Sequence, residues 1–358
     1  MMTPYLRTAS VAVIIFLSLH IISCSKPSDP NPEPEPQPEV PDPRSWYAST
    51  VAGVGMQGNL NGPAQSAAFG IMEVITADAA GNIYVGDNQS IRKISNGQVT
   101  TFAGKGSGGN QAFGLIDGIV VNKQGIIYDV EGPMIRKINS DASDVYFAGT
   151  GTYEYKDGIG TNAGFRQIYH IALDKDENLI LPDYDLNQNQ ILRKITPSGV
   201  VTTLPLIDNT GFSSGSTASL IYITCIAIDP SGNIYYSSAK NQMIKKRDLN
   251  GNVTAFAGTD AFGTEDGQGT AARFMGITGM TCDASGNIYV AMYSTHSIRK
   301  ITPSGKVTTI IGVNGPGAID GHTDSARLKR PMGLAVDKNG AVLIVDQGNF
   351  KIRKLELK

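Results

Sequence analysis

The chain has 358 residues, a formal net charge of −2 and only three cysteines. A charge balance this close to zero argues against a nucleic-acid partner. Cys225 and Cys282 lie in apolar segments and lack the spacing of a zinc site. The composition therefore excludes a disulfide-rich or zinc-stabilised scaffold.

The first 23 residues have the pattern of a signal peptide, with Arg7 followed by an apolar run from Val11 to Leu17. The apolar stretch is too short for a bilayer core of about 30 Å and has no stop-transfer flank. We therefore expect residues 1–23 to direct export.

The signal segment ends in Ile21-Ile22-Ser23-Cys24, which resembles the bacterial lipobox. The resemblance implies cleavage before Cys24 and attachment of a lipid to its sulfur, and therefore a membrane-anchored lipoprotein. An ordinary cleavage site beside a chance cysteine is the alternative. Ser25 stands where an Asp signals retention in the inner membrane of some bacteria, which favours the outer membrane or cell surface.

Residues 24–45 form a proline-rich linker with eight prolines, interleaved with acidic residues. Such a segment buries no apolar surface and favours extended polyproline II, at about 3.1 Å per residue. We expect it to act as a spacer between the lipid and the folded domain.

A single pattern recurs over residues 46–358, and it defines the third segment of the chain. Each unit has an apolar strand that ends in an Asp-x-x-Gly turn, a strand rich in β-branched and aromatic residues, an Ile-Arg-Lys-Ile strand, and a fourth strand after a Pro-Ser-Gly-like turn. Six residues open the first turn: Asp78, Asn122, Asp174, Asp229, Asp283 and Asp337. The sequence therefore contains six units of four antiparallel strands.

Six such units predict an all-β fold, a six-bladed β-propeller, because one blade cannot bury both faces and neighbouring blades must stack around an axis. The last unit ends after its third strand, whereas an extra fourth strand, from Trp46 to Gly53, precedes the first unit. We expect this N-terminal strand to complete the last blade. Four phenylalanines recur at one repeat position and are predicted core residues: Phe69, Phe113, Phe165 and Phe274.

The repeat resembles the NHL repeat over essentially all of residues 46–358. The resemblance is clearest in Ala272-Arg273-Phe274, Gly286-Asn287-Ile288-Tyr289-Val290 and Ile298-Arg299-Lys300-Ile301. It implies a propeller, but not a single function, because such propellers host binding, lyase and lactonase activities alike. The recurrent Arg-Lys pairs are interpreted as a solvated outer face.

The mouth of the central channel is the predicted site. Residues five positions before each turn residue are expected there, and the first three depart from the Met332 of the last unit. The candidate residues at the mouth are Glu73, Asp117, Tyr169, His170, Thr224 and Thr278. Loops on the same face, which we call the top face, add Asp87, Glu131, Asp183, Tyr184, Tyr293 and Asp346.

Carboxylates at a channel mouth suit Ca²⁺ or sugar hydroxyls, although many simply cap their own turns. Aromatic side chains on the same face, such as Tyr153, Tyr155 and Phe262, suit the apolar face of a sugar ring. No nucleophile elbow, metalloprotease motif or phosphate loop is present. The favoured hypothesis is a binding protein whose top face recognises a glycan or an envelope protein, and the rival is a metal-assisted hydrolase or lyase.

Overall fold

The structure is a computed structural model that describes residues 45–105, 113–187, 190–208, 223–238 and 242–358. Over these residues the chain forms six β-sheets. The inner strand of each sheet contacts the inner strand of the next sheet, and the last contacts the first. The predicted six-bladed β-propeller is therefore confirmed.

The six blades follow one another along the chain, after a first strand, β1 (Trp46–Ala52). Blade 1 comprises β2 (Gly62–Pro63), β3 (Met72–Ala77), β4 (Ile83–Asp87), β5 (Ser90–Ser95) and β6 (Gln98–Gly104). Blade 2 comprises β7 (Gly118–Val121), β8 (Ile127–Glu131), β9 (Met134–Ile138) and β10 (Asp144–Ala148). Blade 3 comprises β11 (Gly158–Ile159), β12 (Ala172–Leu173), β13 (Leu179–Tyr184), β14 (Gln190–Ile195) and β15 (Val200–Leu204).

The second half of the ring has the same organisation. Blade 4 comprises β16 (Ile207–Asp208), β17 (Ile223–Ile228), β18 (Ile234–Ser238), β19 (Met243–Arg247) and β20 (Asn252–Ala257). Blade 5 comprises β21 (Gly267–Gln268), β22 (Ile277–Cys282), β23 (Ile288–Met292), β24 (Ser297–Ile301) and β25 (Lys306–Ile311). Blade 6 comprises β26 (Gly321–His322), β27 (Pro331–Val336), β28 (Val342–Asp346) and β29 (Lys351–Leu357), and short 3-10 helices lie at Gly160–Asn162, Gly269–Ala271 and Gln347–Asn349.

The N-terminal strand closes the ring. β1 runs antiparallel to β29, with Tyr47 opposite Glu356 and Ser49 opposite Lys354. Blade 6 therefore has the strand order β26-β1-β29-β28-β27. This confirms the prediction that the extra N-terminal strand completes the last blade.

Five of the six sheets carry a two-residue outer strand, which we call the hook. It comes from the connection that precedes the blade and pairs with the outermost long strand of that blade. The hooks are β2, β11, β16, β21 and β26, of which only β16 pairs in parallel. Because an exposed strand edge invites pairing with other chains, the hooks protect the outer rim of the propeller.

The turn at the lower end of each inner strand is capped as the sequence predicts. In blade 5, the carboxylate of Asp283 accepts hydrogen bonds from the backbone N–H of Asn287 at 2.9 Å and from the hydroxyl of Tyr289 at 3.0 Å. Gly286 has a φ of +81°, which favours glycine.

The interfaces between blades are apolar. The four recurrent phenylalanines are at most 2% exposed, so their prediction as core residues is confirmed. Burying a side chain of this size stabilises the fold by about 1.5–3 kcal/mol.

The arginine of the Ile-Arg-Lys-Ile strand is buried, so the interpretation of the Arg-Lys pairs as a solvated face is wrong for this residue. Five of these arginines are at most 1% exposed: Arg92, Arg136, Arg193, Arg299 and Arg353. In blade 3, Arg193 donates to the carboxylates of Asp183 at 2.8 Å and Asp157 at 2.9 Å. Its acceptors lie outside its own strand, so the alternation of apolar and polar residues along that strand gives no sign of the burial.

Candidate functional site

A cleft on the top face lies between blades 2 and 3. It has a volume of about 510 Å³, which is in the range of small-molecule sites. The residues that line it are Asp117, Gly132, Tyr153, Arg166, Gln167, Ile168, Tyr169 and Tyr184. Three of them, Asp117, Tyr169 and Tyr184, are predicted site residues, and the structure brings them together.

The inner strands and the connection between blades 2 and 3 position the lining residues. Asp117 precedes β7, and its N–H donates to the carbonyl of Val130 at 3.1 Å. Tyr153 lies in the connection and reaches the turn at Gly132. Gly132 has a φ of +56°, and a Cβ there would lie 3.3 Å from the Tyr153 hydroxyl oxygen. The close approach of this tyrosine to the backbone therefore favours a glycine.

The three tyrosines of the cleft differ in exposure. Tyr153 is 71% exposed, Tyr169 is 38% exposed and Tyr184 is 8% exposed. The side-chain amide of Gln167 donates to the hydroxyl of Tyr169. The cleft thus offers aromatic surface at its rim and hydrogen-bonding groups beside it, which is the combination that suits a sugar ring.

Asp117 is the titratable group of the cleft. Its pKa is raised to about 6, chiefly by burial and also by the carboxylates of Glu73 and Glu131, against a hydrogen bond from the backbone of Gly132 that lowers it. A carboxyl group with this pKa changes charge in the mildly acidic range, so the cleft changes its hydrogen-bonding capacity with pH.

Sequence reasoning missed Arg166 and Gln167. Their backbone N–H groups donate to Asp183 at 2.9 and 3.0 Å, and the Arg166 guanidinium donates to the carbonyl of Asp185 at 3.1 Å. The corresponding positions in blades 1 and 2 are Gly-Ile and Gly-Leu. This departure from the repeat is the signal that identifies the pair.

Four predicted top-face carboxylates are buried in ion pairs with the recurrent arginines. The pairs are Asp87–Arg92 at 2.8 Å, Glu131–Arg136 at 2.7 Å, Asp183–Arg193 at 2.8 Å and Asp346–Arg353 at 3.0 Å. Burial raises the pKa of the three aspartates, while their arginines and backbone N–H donors lower it. The structure therefore engages these carboxylates in holding the blades, not in facing the cleft.

His170 lies in the central channel below the mouth, among the inner strands. Burial lowers its pKa to about 4, so its imidazole is neutral near pH 7. Its Nδ1 is buried and makes no hydrogen bond to the described part of the chain. The channel at this level has a volume of about 220 Å³.

The remaining candidates lie elsewhere. Glu73 is exposed and lines a separate depression of about 170 Å³ between blades 1 and 2, beside Ile71 and Leu115. In blade 5, on the far side of the ring, the Thr278 hydroxyl donates to the carbonyl of Pro331 at 3.0 Å. Tyr293 is half-buried in blade 5 under Arg330 and is not brought to the cleft. The side chain of Thr224, like Cys24, lies outside the described residues.

A divalent cation finds few ligands in the described ranges. They contain no group of three or more His, Cys, Asp or Glu side chains that is placed to hold a metal ion. Ca²⁺ takes six to eight oxygen ligands, and Glu73 and Asp117 are the two predicted mouth carboxylates not engaged by an arginine. Separately, no helix among them is long and apolar enough to span a membrane.

Comparison with known families finds the SMP-30/Gluconolactonase/LRE-like region over residues 219–319. Suppressor of Quenching 1 from Arabidopsis thaliana is 30% identical over 160 residues, which cover 42% of this chain and 15% of that protein. NHL repeat-containing protein 2 from Bos taurus is 36% identical over 101 residues, which cover 27% of this chain and 14% of that protein. The chain thus matches only a small part of these relatives, and it is a repeat β-propeller that is similar in part to NHL-repeat proteins.

Solved structures share the fold. An auxiliary nutrient binding protein from Bacteroides ovatus aligns with a TM-score of 0.68 and 16% identity, covering 88% of this chain and 77% of that one. A gluconolactonase from Xanthomonas campestris aligns with a TM-score of 0.55 and 13% identity, covering 87% of this chain and 89% of that one. At these identities the likeness concerns the fold alone.

Proposed function

We propose that this chain is an exported lipoprotein whose cleft between blades 2 and 3 binds a carbohydrate. A lipid on Cys24 anchors it to a bacterial envelope membrane, and the proline-rich linker holds the propeller away from the lipid. Loss of detergent partitioning in a Cys24→Ser variant tests the anchor. The structural likeness to a nutrient binding protein is consistent with a role in ligand capture.

The observation that carries the proposal is the composition of the cleft. Tyr153 and Tyr169 present exposed rings at its rim, while Asp117, Arg166 and Gln167 supply hydrogen-bonding groups. An aromatic ring packs on the C–H face of a sugar, and a few polar groups around it fix the sugar's orientation. A ligand with both an apolar face and many hydroxyls fits this arrangement.

The test is a glycan array with the purified protein, followed by titration of the hits with Tyr153→Ala and Tyr169→Ala. Loss of a stacking or hydrogen-bonding partner of about 1–3 kcal/mol should weaken binding roughly 5- to 150-fold without changing the melting temperature.

Phe262→Ala is the matched control, because Phe262 is equally exposed at the corresponding position of the connection between blades 4 and 5. Equal loss of binding in Phe262→Ala and Tyr153→Ala would place the site elsewhere.

A second candidate function is a lactone hydrolase or lyase, which the family match over residues 219–319 favours. That match covers blade 5 and most of blade 4 and lies outside the cleft. The discriminating assay is turnover of sugar lactones with added divalent cations, in the natural chain and in Glu73→Gln. Cation-dependent turnover that Glu73→Gln abolishes would favour the enzyme.

A further inference from the structure

Blade 2 differs from its neighbours at its outer edge. Within the described residues no strand pairs with the outer side of β10, whereas the other five sheets carry a hook. The edge is apolar: Val145 is 57% exposed and Tyr146 is 42% exposed. Exposed strand edges usually carry Lys, Pro or a covering segment, and β10 contains neither Lys nor Pro.

The length of the preceding connection explains the difference. Four connections run 16 positions from a terminal glycine to the buried apolar residue that starts the next blade: Gly53 to Phe69, Gly149 to Phe165, Gly258 to Phe274 and Gly312 to Leu328. In each of these connections the first residue of the hook, a glycine, lies nine positions after the terminal glycine. Seven further positions lead from it to the buried apolar residue. From Gly104 to Phe113 there are only 9 positions, seven fewer than in those four connections.

The polar contacts of blade 2 have adjusted to this shorter connection. In blades 3, 5 and 6 the recurrent arginine donates to the aspartate that immediately precedes the hook, which we call the hook aspartate. In blade 3, for example, Arg193 donates to Asp157 at 2.9 Å. In blade 2, Arg136 instead contacts Asp144 at 2.5 Å and the hydroxyl of Tyr146 at 3.0 Å, and both residues belong to β10. The edge strand thus supplies the acceptors that a hook supplies elsewhere.

The backbone of β10 keeps the groups that a hook would bind. In blades 3, 5 and 6 the hook aspartate accepts a hydrogen bond from a backbone N–H of the outer strand: Thr203 at 3.3 Å, Thr309 at 2.9 Å and Thr50 at 3.0 Å. Each of these threonines stands opposite the recurrent arginine, as Tyr146 stands opposite Arg136. The N–H of Tyr146 therefore points outward from the blade.

We infer that the outer edge of β10 is a docking site for an extended segment of a partner protein, with apolar side chains against Val145 and Tyr146 and a basic side chain beside Asp141. Strand addition to a free edge gives affinity through main-chain hydrogen bonds and specificity through alternate side chains. Asp141 is exposed at the start of the edge and bonds only to Ser143 within the described contacts, whereas Asp144 is paired with Arg136. The uncompensated charge therefore selects a basic partner.

A second copy of the chain is a poorer occupant. A stable dimer buries about 1,200–2,000 Å², and a strand of five residues offers only a small part of such an area. A flexible segment avoids this requirement because it brings no second globular surface that must fit.

The experiment titrates the purified chain with a labelled peptide of about ten residues that alternates Val and Thr and ends in Lys. Binding in the micromolar to millimolar range is expected, with slower hydrogen exchange at Tyr146 in the complex. An analogue N-methylated at alternate residues should not bind, because it lacks the edge-facing donors. A peptide ending in Glu should bind at least about 3-fold more weakly.

Val145→Lys should weaken binding of the Lys peptide about 10-fold or more, because it adds a like charge to the edge. Thr100→Lys is the matched control, since Thr100 is the exposed residue at the same position of β6, which the β2 hook covers. Equal affinity of both variants would overturn the proposal. So would Tyr146 exchange in the free protein as slow as that of Thr203, or a dimer that competes with the peptide.

Discussion

Blades 2 and 3 stabilise the same buried arginine in two different ways. In blade 3, Arg193 binds Asp183 of its own sheet and Asp157 of the incoming connection, so the ion pairs fasten that connection to the blade. In blade 2, Arg136 binds Glu131 and Asp144, which both belong to its own sheet. The buried guanidinium is paired with two carboxylates in both blades, but these carboxylates come from different parts of the chain.

Blade 2 also differs from blade 3 at a second buried position. Asp129 lies in the middle of β8 with no exposed surface, where blade 3 has Leu181. Neither of its carboxyl oxygens bonds to a described residue. Burial raises its pKa well above the usual value, and Glu131 and Asp144 raise it further, while Arg136 lowers it. Blade 2 therefore carries a buried carboxyl group whose neutral form is favoured, whereas blade 3 has an aliphatic side chain at this position.

The largest effect is expected from breaking the ion pairs of Arg193 in blade 3. Arg193→Met leaves Asp183 buried without its cation, which should lower the free energy of unfolding by about 3–5 kcal/mol. Hydrogen exchange around Asp157 should accelerate as the hook loosens, whereas Arg136→Met should leave exchange at that hook unchanged. Urea denaturation and hydrogen exchange measure both. Lys194→Met is the control, and a loss below about 1 kcal/mol for Arg193→Met would contradict this account.

Replacing Asp129 by the residue of blade 3 should stabilise the protein. Asp129→Leu removes an unsatisfied buried carboxyl group, so the free energy of unfolding should rise by about 1–3 kcal/mol near pH 7. Because burial raises the pKa of Asp129 in the folded state, ionising this carboxyl group is harder in the folded chain than in the unfolded chain. The natural chain therefore loses stability as the pH rises from the unfolded pKa through the folded pKa. Denaturation at several pH values should show that slope in the natural chain and not in Asp129→Leu.

Asp129→Asn separates the two causes. It abolishes the titration but keeps buried polar atoms without partners, so it should flatten the pH dependence and stabilise less than Asp129→Leu. An unchanged slope in Asp129→Asn would assign the pH dependence to another group.

The smallest effect concerns Asp117, at the border of the two blades. If its carboxylate accepts hydrogen bonds from sugar hydroxyls, affinity for a glycan hit should rise a few-fold as the pH rises through about 6, because the ionised form is the better acceptor. Asp117→Asn should remove this dependence. Titrations at pH 5 and pH 7 decide it, and a pH dependence that survives in Asp117→Asn would exclude this carboxyl group as its source.

The sequence predicts the fold in detail, because the turn residues, the strand alternation and the repeat all indicate the same architecture. It also places Asp117 and Tyr169 correctly at the top of neighbouring blades. The buried role of Arg193 could not be predicted in this way, because its acceptors come from a connection 29 to 37 residues earlier in the chain. Departures from the repeat, as at Arg166 and Asp129, mark such residues in the sequence itself.

The pairing of β1 with β29 also governs the order of events during synthesis. β1 leaves the ribosome first, but its partner strand follows about 300 residues later, which at about 5–20 residues per second is a delay of at least some 15 seconds. Until then, β1 has no partner strand and the ring cannot close. The closed propeller therefore forms only after translation is nearly complete.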